Sequence, residues 1–147
     1  MESKIEWKKF ALATLAVFVI VAILEFLLHR VVLASTYTTL QYYRNAALWS
    51  EGDTGALKWL YLGYLLFACL FVFLYTRGYE ARPAFGQGLR YGVYVGLLLY
   101  VPTVFIQQGL LKMPVIVSVS WSLAGIVECV ISGIVASSIY KAKPASV

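Results

Sequence analysis

Residues 59–76 read WLYLGYLLFACLFVFLYT, a run without one charged side chain, preceded by Lys58 and followed by Arg77. An α-helix rises about 1.5 Å per residue, so roughly 20 residues cross a hydrocarbon core of about 30 Å. Lipid offers the backbone no hydrogen-bond partner, so a run of this length and polarity is satisfied inside a membrane only as a helix. The stretch therefore reads as a transmembrane span with a cation at each end.

Three further runs meet the same test. Phe10 to Leu28 is broken only by Thr14 and Glu25, with Lys8 and Lys9 before it and His29 and Arg30 after it. Tyr91 to Leu111 carries no charge except what precedes it, Arg90. Met113 to Tyr140 is interrupted only by Glu128 and ends at Lys141 and Lys143. The expected fold is an all-α integral membrane protein: one domain over 1–147, spans near 10–30, 57–76, 90–108 and 114–140, forming an antiparallel four-helix bundle. A β-barrel would instead show short alternating segments.

Composition supports this reading. The chain is 61% hydrophobic and 13% charged, too little charge to cover a soluble domain. Its net charge of +5 does not point to nucleic acid, because the basic residues sit at the ends of the apolar runs, where they meet lipid headgroups. The expected partner is the bilayer itself. Cys69 and Cys129 lie singly inside apolar runs and read as small packing residues.

The lysine and arginine distribution sets an orientation. Lys4, Lys8, Lys9, Arg77, Arg82, Arg90, Lys141 and Lys143 fall on one side; Arg30, Arg44, Lys58 and Lys112 fall on the other. The richer side, with both termini, is expected in the cytoplasm. Trp7, Tyr75, Tyr79 and Tyr140 would anchor the inner boundary, and Trp49, Trp59 and Tyr61 the outer one. Val32-Leu33-Ala34 has the look of a leader cleavage site, but Glu25, His29 and Arg30 make the region before it too charged for one. In the first loop, YTTLQYYRNAALW can form a short interfacial helix presenting Tyr37, Leu40, Tyr43 and Ala47, and Glu51–Gly55 reads as a turn.

Helices in a bilayer gain little from hydrophobicity alone; small residues that let backbones approach hold them together. Gly88, Gly92 and Gly96 recur every fourth residue, and Gly125, Cys129, Gly133 and Ser137 make a matching stripe. These stripes are expected to pack within the bundle, with a homodimer seam or docking to other membrane subunits as the alternative. Pro102 lacks an amide hydrogen and crowds the carbonyl of Leu98, so a kink is expected there.

Ionisable groups at membrane depth are costly and mark candidate functional sites. Glu25 and His29 are four residues apart and share a helix face. Counting from the inner boundary puts Glu25 about 22 Å up, Glu128 and Pro102 about 18 Å, and Gln107 about 25 Å. Glu25, His29, Gln107, Glu128 and the carbonyl freed by Pro102 are therefore expected in one polar layer. Two carboxylates in such a layer cannot both ionise cheaply. The cluster can bind a proton, a cation or the polar end of a small molecule, or can serve only to fix helix register.

One histidine and two glutamates are a thin ligand set for a transition metal, and a single histidine excludes bis-histidine haem, so no metal or cofactor is expected. No nucleophile elbow, phosphate loop or zinc-protease motif is present. A carboxylate in the first of four helices resembles the small multidrug resistance transporters; the resemblance is confined to Glu25 and the helix count, and the longer first loop and Glu128 depart from that plan. The general plan is similar to that of small four-helix proteins of bacterial inner membranes, the expected location. Three functions follow: transport or binding of a proton, cation or small molecule through the polar layer; an assembly subunit of a membrane complex; and, least supported, a lipid- or quinone-directed enzyme using His29 and a glutamate.

Overall fold

The computed structural model describes residues 5–39, 54–80, 82–111 and 114–141, and every regular element within them is helical. The elements are α1 (Trp7–Leu27), a π-helical turn (Leu28–Val32), α2 (Ala34–Thr39), α3 (Thr54–Arg77), α4 (Ala84–Leu110) and α5 (Val115–Ile139). Four helices are long and apolar enough to cross a membrane: Trp7–Val32, Gly55–Arg77, Ala84–Leu110 and Val115–Ile139.

Every span differs from its expected bounds by a few residues, and two of the differences have a local cause. α4 begins at Ala84, six positions before Arg90, because Pro83 supplies a helix-compatible φ of −51° at its N-cap. Gln87 N–H then bonds the Pro83 carbonyl at 3.1 Å, and the Gln87 amide donates to the Gly78 carbonyl at 3.1 Å, closing the preceding turn. Thr54 and Gly55, read as part of a turn, belong to the first turn of α3. The remainder of that turn and most of the proposed interfacial helix lie outside the described residues; of that helix's predicted face, only Tyr37 is described, and it sits in α2.

α5 is the most enclosed span and touches α1, α3 and α4. Its closest partner is α4. A Cβ placed on Gly92 would fall 2.6 Å from the Val130 Cα, and one on Gly88 would fall 2.8 Å from the Gly133 carbonyl carbon. One on Gly96 would meet the Ile126 Cα at 3.0 Å, and one on Gly133 would meet the Gly92 nitrogen at 3.0 Å. Gly125 faces the Tyr100 ring. Positions that ascend along α4 meet positions that descend along α5, so these two helices run in opposite directions at backbone contact. Both glycine stripes are consumed in this single seam.

α1 packs on α3 and α5. Ala13, Val17 and Val21 meet Ala68, Phe71 and Val72 in the buried core. At one end the core becomes aromatic. Tyr91 lies 4.8 Å from Phe71 and 5.3 Å from Tyr75, ring centre to ring centre, and Tyr75 and Tyr79 both touch Tyr140 edge-on. Each such pair contributes about 0.5–1.5 kcal/mol beyond its area. This corrects the sequence reading of Tyr75 and Tyr140 as boundary anchors: both are 1% exposed and pack inward. Trp7, Trp59 and Tyr61 do project outward.

The outer faces are strongly apolar. Leu98, Phe105 and Leu110 on α4 are each more than 70% exposed, and every other span carries exposed leucine, isoleucine or valine. An apolar surface this continuous is tolerated by hydrocarbon and not by water.

Candidate functional site

The site is built where α1 stops being an ordinary helix. Leu33 N–H bonds the Leu28 carbonyl at 2.8 Å, an i to i−5 closure that makes residues 28–32 a single π turn. Such turns widen a helix locally and occur often at functional positions. Here the turn carries His29 and leads, through the bend at Leu33, to α2 and Tyr37.

His29 Nε2 lies 3.2 Å from Glu25 Oε2. Its other ring nitrogen, Nδ1, lies 2.6 Å from the Tyr37 hydroxyl, and Trp121 Nε1–H donates to that same oxygen at 2.7 Å. Because the indole can only donate, the Tyr37 proton is free to go to Nδ1; in the neutral ring Nε2 then carries the proton that Glu25 accepts. The rings reinforce this order: His29 stacks on Tyr37 at 5.8 Å and meets Trp121 edge-on at 5.7 Å.

Glu25 lies close enough to Glu128 on α5 and to Tyr64 on α3 to interact with both electrostatically, and Tyr100 on α4 feels both carboxyl groups. All four spans thus converge on the acidic pair. Glu128 is 5% exposed, and the Glu25 side chain is 21% exposed, so neither projects into the surrounding medium. Two carboxyl groups can hydrogen-bond only if one holds a proton.

Beside the pair lies a cavity of about 310 Å³. Glu25, His29 and Gln107 line it together with Tyr100, Thr103 and Trp121. Gln107 Oε1 is buried and finds no hydrogen-bond partner among the described residues. Glu25, His29 and Glu128 are therefore in one place, and Gln107 shares the cavity with the first two. Pro102 does not join them. It is exposed on the outer side of α4, which continues through it as helix, and the adjacent Thr103 hydroxyl donates to the Leu99 carbonyl. Gly88, Gly92, Gly96, Gly125 and Gly133 act at the α4–α5 seam and set the position of Tyr100 and Glu128 relative to each other.

Tyr64 and Tyr100 were not singled out in the sequence, and Tyr37 was read only as part of an interfacial helix face, not as a partner of His29. Tyr64 and Tyr100 look like two more aromatics among many in apolar runs, and Tyr37 sits in a loop whose return onto α5 no local pattern announces. Among the described residues no three histidine, cysteine or acidic side chains form a metal-ligand group. No family model, no curated protein and no solved structure matches the chain.

Proposed function

We propose that the chain is an antiparallel four-helix protein of the bacterial inner membrane, with both termini cytoplasmic. In this reading it binds a proton and a small cation or molecule at the Glu25–Glu128–His29 centre and carries them across the bilayer. The observation that carries it is that carboxyl groups from two different spans, Glu25 and Glu128, lie close enough inside the bundle to interact electrostatically. Helix register is fixed more cheaply by apolar packing, since burying ionisable groups costs on the order of several kcal/mol of desolvation. A proton held between two acids can be surrendered when a cation arrives, and His29 with Tyr37 extends the pair toward the α2 end.

The assembly-subunit reading is less favoured. It relied on the glycine stripes as docking faces, and those of α4 and α5 are used on each other. What α4 turns outward is large aliphatic and aromatic side chains suited to lipid.

The test is proton flux into liposomes containing the purified full chain and a trapped pH-sensitive dye, driven by an imposed membrane potential. Wild type should acidify the lumen with a clear pH dependence. Glu25→Gln and Glu128→Gln should lose that flux while keeping yield and monodispersity, and each should remove a protonated-carboxyl stretch from the infrared spectrum. Flux equal to protein-free liposomes in the wild type, or unchanged flux in both variants, would refute the proposal.

A further inference from the structure

The cavity beside the acidic pair has a chemical bias that narrows its ligand. Its volume of about 310 Å³ equals that of about ten water molecules at roughly 30 Å³ each, enough for a small organic molecule. Three of its donor-bearing side chains are already committed. The Trp121 N–H is spent on Tyr37, the Thr103 hydroxyl on the Leu99 carbonyl, and both nitrogens of His29 on Tyr37 and Glu25. Of the rest, the Glu25 carboxylate only accepts, Gln107 Oε1 is a buried acceptor unpartnered among the described residues, and the Tyr100 and Ser122 hydroxyls can accept as well as donate, while the Gln107 amide nitrogen donates. None of the eight lining residues is lysine or arginine. Tyr100 and Trp121 add aromatic surface, and ring faces attract cations.

An acceptor-rich, aromatic-walled cavity with a carboxyl group and no fixed cation fits a ligand that brings positive charge and N–H donors together. We infer that the cavity binds a small primary ammonium ion, whose NH₃⁺ group is held between the Glu25 carboxylate and Gln107 Oε1. The inference rests on the acidic pair being a working proton- and cation-binding centre and assigns its ligand class. An anion would face the carboxyl oxygens. A neutral alcohol would leave the charge uncompensated. A quaternary ammonium carries charge but no donor for Gln107.

The experiment is isothermal titration calorimetry on the detergent-purified full chain with benzylammonium, benzyltrimethylammonium and benzyl alcohol. Benzylammonium should bind saturably, and the other two at least tenfold more weakly. Gln107→Leu should weaken benzylammonium about tenfold, whereas Gln107→Glu, which keeps an acceptor, should bind at least as well as wild type. Equal affinity for benzylammonium and benzyltrimethylammonium, or an unchanged affinity in Gln107→Leu, would overturn the inference. The two levels separate by infrared spectroscopy of the same samples. A normal Glu25–Glu128 carboxyl signature without amine binding sinks the ligand assignment alone. Absence of that signature sinks the acidic centre and the ligand together.

Discussion

Trp121 on α5 donates its indole N–H to the Tyr37 hydroxyl at 2.7 Å, joining residues 84 positions apart in the chain. This bond fixes the short α2 segment against α5 beside the site. It also decides which way the Tyr37 proton points, and through His29 it orients the Glu25 carboxyl group.

Tyr37→Phe removes the acceptor for Trp121 and the donor for His29 together while keeping the ring stack. Each part-buried hydrogen bond contributes about 0.5–1.5 kcal/mol, so losing both costs about 1–3 kcal/mol. The variant should unfold earlier by that amount in a detergent denaturation series. Trp121→Phe should cost less, because Tyr37 retains His29. If Tyr37→Phe unfolds with wild-type stability, the relay contributes nothing to the fold.

The glycines of α4 and α3 should respond in opposite directions to the same change. Gly92→Ala drives a methyl to within 2.6 Å of the Val130 Cα, backbone that cannot swing aside. Overpacking of this kind costs about 1–3 kcal/mol. A Cβ on Gly63 meets nothing within 4 Å, so Gly63→Ala should be neutral or stabilise by up to about 1 kcal/mol through helix propensity. Equal effects of the two substitutions on unfolding would show that α4 and α5 do not meet at backbone contact.

Much of this was readable in the sequence because the bilayer imposes severe rules. The charge-free run at 59–76 could be satisfied in lipid only as a helix, and the four-residue period of Gly88, Gly92 and Gly96 marked a face before any partner was known. Glu25 and His29 shared a face by spacing alone. Legibility ended where the chain departs from ideal periodicity. The π turn at 28–32 has no propensity signal in LHRVV, and it is this turn that delivers Tyr37 to His29. Pro102 was read through its missing amide, which says nothing about the face it occupies; that face is the outer one. The inward packing of Tyr75 and Tyr140 was hidden for a related reason, since a tyrosine at a membrane boundary suits both an anchor and a core.

The ion pairs at the α3–α4 connection should matter little. Glu80 Oε2 accepts from Arg90 at 2.7 Å and from Arg82 at 2.9 Å, yet its side chain is 48% exposed. Exposed pairs contribute about 0–1 kcal/mol and are screened by salt. Glu80→Gln should lower stability by less than about 1 kcal/mol at low ionic strength, and the difference should vanish in high salt. A larger, salt-insensitive loss would mean that this connection is far better shielded than its exposure indicates.

The contact between Glu25 and Glu128 can be measured without reference to function, through a double-mutant cycle on stability. Glu128→Ala removes the acidic neighbour of Glu25 and leaves Glu25 paired with His29. Glu25→Ala strands Glu128, which is 5% exposed. Each single change therefore includes the cost of a buried polar group deprived of a partner. The double variant removes both groups, so its loss should fall short of the sum of the singles. Groups in contact couple by about 0.5–3 kcal/mol, whereas independent sites add to within about 0.5 kcal/mol. Strict additivity would separate the two acids and remove the physical basis for a shared proton between α1 and α5.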